Sequence, residues 1–188
     1  YMEKAKREGL VLPETERIIV YLAPAINVQA GNPRQIHQLA DLARPGLRVA
    51  IANPEGVCVG AYAVEIIEKN FSAEQKRAFR DNLVNYTGSC SKTASAVSLK
   101  AVDAVIGWRV FQYWDPQRIE SIPLEAGQVS RIGYIPIAVT RFSRQPALAS
   151  QFIEFLQSPA GQQIFSRYRY FSSAEAAMKW IGADKPVG

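Results

Sequence analysis

Arg48-Val49-Ala50-Ile51-Ala52-Asn53-Pro54-Glu55-Gly56-Val57-Cys58-Val59-Gly60-Ala61-Tyr62-Ala63 is the stretch that decides the fold class. Leu47 to Ala52 is an apolar run of strand length, and the turn formers Asn53-Pro54-Glu55-Gly56 stop it. From Val59 to Lys69, Tyr62, Ile66 and Ile67 then recur at helical spacing. The same strand, turn and helix return downstream. Leu83 to Tyr86 reads as a strand, Thr87-Gly88-Ser89-Cys90-Ser91 as its turn, and a small-residue helix ends near Lys100 before the strand Ala101 to Trp108. Such alternation predicts an α/β chain with largely parallel sheets.

Outward from this centre, Met2 to Arg7 forms an opening helix and Ile18 to Leu22 a buried strand that ends at Pro24. Asn32-Pro33 starts a helix whose apolar face is Ile36, Leu39, Ala40 and Leu42, closed by Pro45-Gly46. A charged helix covers Ala73 to Asp81, and later strands cover Ile119 to Leu124 and Ile132 to Thr140. Pro136, inside the second of these, marks an edge or crossing strand, because it cannot donate to a central ladder. The tail is helical over Pro146 to Leu156, from Ser158-Pro159 through Phe165, and from Ser173 to Ile181.

The chain has 188 residues, 48% of them hydrophobic, enough for one large domain or two small lobes with real cores. No run of apolar residues is long enough to span a bilayer, and Tyr1 to Arg7 is charged rather than signal-like. The net charge of +5 favours anionic partners, but Lys and Arg are scattered rather than gathered into the stripe that nucleic acid requires. With two cysteines, no C-x-x-C and one histidine, a metal centre lacks ligands. Cys58 and Cys90 are a disulfide in an oxidising compartment, or two small buried hydrophobes in a reducing one.

Chemistry concentrates in the two strand-to-helix turns. Each offers unpaired backbone N–H groups and the positive end of a helix dipole at the carboxyl edge of a sheet, where anions bind. Gly56-Val57-Cys58-Val59-Gly60 and Gly88-Ser89-Cys90-Ser91 are small enough to let a ligand reach the main chain. Ordinary helix capping explains the same residues, since Ser89 and Ser91 are good N-caps. If the two strands are neighbours, both turns face one crevice. Gly88 to Thr93 is not a nucleotide loop: it is one residue short, and Ser91 stands where a glycine must precede the lysine. A nucleophilic Ser89, Ser91, Cys58 or Cys90 would need His37 as base. His37 sits in the polar run Arg34 to Gln38, so no catalytic residue is assigned and the chain is read as a non-enzyme. Trp108, Tyr113 and Trp114 suit a stacking platform or core packing.

With those residues in view, the chain resembles the bacterial molybdate-binding proteins, a branch of the type II periplasmic solute-binding superfamily. The resemblance runs almost end to end. It is carried by Ala30-Gly31-Asn32-Pro33 with Leu39-Ala40-Asp41-Leu42, by Arg48 to Pro54, and by Val59 to Ala63 with Glu65. Further on it is carried by Tyr134 to Val139, by Phe152 to Gln162 and by Ile164 to Tyr168.

The resemblance implies a type II periplasmic-binding-protein fold, two α/β lobes with mainly parallel sheets joined by hinge strands, one lobe incomplete. Residues 1–22 and 132–188 would belong to the incomplete lobe and 23–131 to the intact one. It implies an extracytoplasmic, periplasmic component of an ABC importer that binds molybdate or tungstate, docks on a membrane permease and is monomeric at full length, without cofactor, metal or nucleic acid. The implied ligand-binding residues are Cys58, Val59, Gly60, Ser89, Cys90, Ser91 and Trp108, the last standing where the family has a tyrosine hydroxyl. It further implies a disulfide between Cys58 and Cys90 that pins the two turns. The principal alternative is the ligand-sensing domain of a transcriptional regulator built on the same fold; an enzyme and a membrane-sensor ectodomain are others.

Overall fold

The computed structural model describes residues 1–188. A short helix α1 (Met2–Arg7) leads into strand β1 (Arg17–Leu22), and only Ala23 separates β1 from β2 (Pro24–Gln29). The two strands belong to different sheets. Then come β3 (Val49–Ala52), α2 (Cys58–Asn70), α3 (Ala73–Asn82), β4 (Leu83–Thr87), α4 (Cys90–Ser98), β5 (Ala104–Trp108), α5 (Phe111–Trp114) and β6 (Ile119–Pro123). The chain crosses back through β7 (Gly133–Ile137), which pairs antiparallel with β1, and ends in α6 (Pro146–Gln157), α7 (Pro159–Arg167) and α8 (Ala174–Ile181). No helix is long and apolar enough to cross a membrane.

The five-stranded sheet has the order β4-β3-β5-β2-β6. β3 lies parallel to both β4 and β5, while β2 is antiparallel to its neighbours β5 and β6, so four strands share one direction and β2 alone is reversed. Along β3, Val49 and Ile51 enter one core with Ile66 and Ile67 of α2, whereas Ala50 and Ala52 enter another with Ala94 and Val97 of α4. Alternation thus fills both faces, as a sheet covered by helices on two sides requires. The sheet β1–β7 departs from the parallel expectation because it is an antiparallel pair. Pro136 sits on that two-stranded sheet, where its missing N–H costs little.

The strand expected over Ile18 to Leu22 does end before Pro24, but Pro24 also opens a strand that the sequence did not announce: β2 is the buried strand between β5 and β6, and a proline is tolerated as the first residue. One expectation changes. Residues 33–38 are not helical. Asn32 and Gln35 take positive φ values of 44° and 50°, and the Asn32 side chain clasps both the amide and the carbonyl of Ile36, at 2.9 and 2.7 Å. Only Leu39–Ala43 forms a 3-10 turn, yet Ile36, Leu39 and Leu42 are still buried, because spacing by three suits a 3-10 turn as well as an α-helix. On α6 only Ile153 is buried, and Leu148, Phe152 and Phe155 line an exposed stripe.

Candidate functional site

The two turns singled out in the sequence begin at paired positions, since Ala52 at the end of β3 is in register with Thr87 at the end of β4. The Asn53 amide donates to the Thr87 carbonyl at 2.8 Å and ties the turns together. Within the second turn, the Thr93 hydroxyl bonds the Thr87 hydroxyl at 2.5 Å and donates to the Ser89 carbonyl at 2.9 Å. Helices α2 and α4 therefore start side by side at the carboxyl edge of the sheet.

Donors at these starts divide into spent and free. The Gly60 amide donates to the Val57 carbonyl at 3.0 Å, and the Ser89 hydroxyl accepts from the Lys92 amide at 3.1 Å while contacting the Ser91 hydroxyl at 3.0 Å. Capping thus accounts for Ser89. The amides of Cys58, Val59, Cys90 and Ser91 have no backbone acceptor. Gly60 supplies room rather than a donor: a Cβ there would collide with the backbone of Ala52 and Asn53, so the bare Cα lets α2 seat against the end of β3.

Cys58 and Cys90 open their helices and meet in the crevice. Both are free thiols, which corrects the disulfide expected from the resemblance. The two thiols are close enough to influence each other's ionisation, and Cys90 packs against the core cluster that contains Trp108. That mutual influence and the nearby amides outweigh burial and hold the Cys58 thiol below its ordinary value, while the same partner and burial push Cys90 up. One proton leaves the pair readily and the other is held.

Trp108 ends β5 with 3% exposure. Its ring packs edge-on to Tyr62 at 4.8 Å and lies against Gly133 of β7, where any Cβ would clash with the indole. The Tyr62 hydroxyl donates to the Ile132 carbonyl at 3.1 Å and also reaches the Gly188 carbonyl. Arg131 stacks over the Tyr62 ring at 4.1 Å and grips Glu65 through two bonds of 2.9 and 2.5 Å, which raises its already high pKa. Tyr62 and Arg131, with Cys58, Gly133 and Tyr134, border a cleft of about 440 Å³.

The residues expected from sequence therefore come together: Cys58, Val59, Gly60, Ser89, Cys90 and Ser91 lie in adjoining turns, and Trp108 belongs to the cluster that Cys90 packs against. Sequence reasoning passed over Arg109, whose guanidinium lies 4.5 Å from the centre of Phe171, 5.0 Å from Trp180 and 5.5 Å from Tyr113. Three rings from separate segments enclose it, a convergence that no local pattern encodes. His37 lies apart, in the exposed loop before Leu39, with its backbone amide on Asp41 at 2.8 Å. No group of three or more potential metal ligands is present.

Residues 1–170 match the family described as bacterial extracellular solute-binding protein. The molybdate-binding protein ModA of Mycobacterium tuberculosis (strain ATCC 25618 / H37Rv) is 29% identical over 140 residues, 73% of this chain and 49% of that protein. The chain thus spans about half the length of the curated relatives it matches. Among solved structures, the periplasmic molybdate-binding protein of Azotobacter vinelandii superposes with a TM-score of 0.72 at 20% identity, covering 90% of this chain and 73% of that one. L-phospholactate-bound PEB3, a Campylobacter jejuni protein, gives 0.75 at 18% identity with the same coverage. At such identities the likeness concerns the fold, which is that of the type II periplasmic binding proteins.

Proposed function

The chain belongs to the family of bacterial extracellular solute-binding proteins, and from that membership we propose that it is the substrate-binding part of an ABC importer, holding molybdate or tungstate in the crevice at Cys58 and Cys90. The observation that carries this reading is the adjacency of two helix starts whose first amides have no backbone acceptor. The amides of Cys58, Val59, Cys90 and Ser91 and the indole of Trp108 converge there as neutral donors. Fixed dipoles of this kind can hold a tetrahedral dianion without a counter-charge.

Binding would proceed by exchange of water for these donors, followed by rotation of the β1–β7 layer toward the five-stranded sheet. The crossings at Ala23 and between β6 and β7 are the places where such rotation is absorbed. Each hydrogen bond to the anion is worth roughly 1.5–3 kcal/mol, so the loss of one weakens binding about ten- to a hundred-fold. The reading further includes an extracytoplasmic location, a membrane permease as partner and a monomeric full-length protein.

Calorimetric titration with molybdate, tungstate, sulfate, phosphate and L-phospholactate tests it. Preferential binding of molybdate or tungstate supports the assignment. Preference for phosphate or phospholactate moves the ligand to the phosphoryl class, and no binding of any of them removes the oxyanion reading while leaving the family intact.

A further inference from the structure

Arg109 is only 9% exposed, and no acid of the chain answers its charge. Every ion pair in the molecule is formed by other residues. Its backbone is engaged, the amide donating to the Ala23 carbonyl at 2.9 Å and the carbonyl accepting from the Ser121 hydroxyl at 3.1 Å, but its guanidinium makes no hydrogen bond within the chain. The rings of Phe171, Trp180 and Tyr113 surround it instead. Ring faces attract the cation yet accept none of its N–H groups in the manner of an oxygen, so a charge largely removed from water still lacks acceptors. Those donors are not sealed in, because the enclosed polar atoms without a partner belong to Asn27 and Gln162 alone. The guanidinium fork therefore keeps an opening to solvent.

We propose that Arg109 is the anion-binding residue of a further ligand site, one that takes a small organic carboxylate. The fork receives the two carboxylate oxygens edge-on, and the apolar body of the ligand lies against Trp180, which is 37% exposed, and the half-buried ring of Tyr113. Charge count selects this class. One guanidinium neutralises one negative charge, whereas a tetrahedral dianion would leave a net negative charge facing three electron-rich ring faces.

The surroundings draw an anion in rather than supply one. Between Phe165 and Gly182, the segment that carries two of the rings, Arg167, Arg169 and Lys179 stand against the single acid Glu175, at the start of α8. Asp115, just beyond α5, is paired with Arg118 at 3.8 Å. The socket also lies where the two sheets meet: Ala23 is the crossing from β1 to β2, and Phe171 is bonded to Tyr21 of β1 through backbone contacts of 2.8 and 3.2 Å.

Calorimetric titration of the full chain with benzoate, acetate, neutral benzamide and inorganic phosphate tests this. Benzoate should bind once per chain and more tightly than acetate, with benzamide and phosphate weaker by about tenfold or more. Arg109→Lys keeps the charge but loses the planar fork, and should weaken benzoate by about tenfold or more; Arg109→Gln should abolish its binding. The lysine variant carries the test if the glutamine variant does not fold. A second readout locates the ligand: the Trp180 indole N–H resonance, identified by its loss in Trp180→Phe, should shift as benzoate is added. The proposal is overturned by a chain that does not bind benzoate, by equal benzoate affinity in Arg109→Lys, by a preference for phosphate, or by a Trp180 resonance that stays in place at saturation.

Discussion

Gly60→Ala isolates the geometric demand of the first turn. The new methyl would press on the Ala52 carbonyl oxygen and on the backbone carbons of Ala52 and Asn53, none of which is the movable end of a side chain. Relief requires the start of α2 to retreat on the order of 1 Å from the end of β3, an overpacking cost of about 1–3 kcal/mol. At about 2–4 °C per kcal/mol for a chain of this size, the melting temperature should drop by roughly 2–12 °C. The Val59 amide moves with the helix, so one anion contact is lost and affinity falls about ten- to a hundred-fold. Gly88→Ala is the internal control, because a Cβ at Gly88 meets nothing within 4 Å and its φ is not in the positive range. That change should leave stability level or improve it by about 0.4–1 kcal/mol through the unfolded chain. Differential scanning calorimetry and anion titration of both variants decide the matter: a Gly60→Ala protein as stable as Gly88→Ala, with unaltered affinity, would refute the close-approach argument.

Arg109→Gln removes a guanidinium enclosed by three rings and should cost on the order of 1–3 kcal/mol in urea denaturation, with Arg109→Lys recovering only part of it, since an ammonium cannot stack. Asp103 is acidified in the folded state: burial pushes its carboxyl up, but the Arg48 side chain at 3.0 Å, the Arg48 amide at 2.9 Å and the Arg34 charge outweigh it. Its folded value lies below the unfolded one, so its stabilisation is present above about pH 4 and fades as pH falls further. The stability gap between the unaltered protein and Asp103→Asn, measured by denaturant titration at pH 7, 5 and 3, should therefore shrink toward the acid end.

Legibility in the sequence followed the range of the interactions involved. The strand, turn and helix units at Val49 to Asn70 and Leu83 to Ser98 could be read because their apolar spacing and turn residues are local. β2 was missed because Pro24 signals termination locally and its acceptability depends on where Trp108 pairs. The false helix at residues 33–38 arose from apolar spacing by three, which the Asn32 clasp turns into a loop. In the site, convergence of the two turns was readable once β3 and β4 were taken as neighbours. That Gly60 has spent its amide, and that Ser89 has spent its hydroxyl, depends on hydrogen bonds that composition does not reveal. The disulfide was inferred correctly as to proximity and wrongly as to bonding.

Trp108 has one more property that follows from its position. Of the three tryptophans, Trp114 and Trp180 are 39% and 37% exposed, so dissolved iodide should extinguish their emission and leave that of Trp108. The surviving indole lies in the cluster that Cys90 packs against and meets the returning strand at Gly133. Its quantum yield is consequently a label-free optical gauge of how far the two layers have swung apart, supplied by the chain itself.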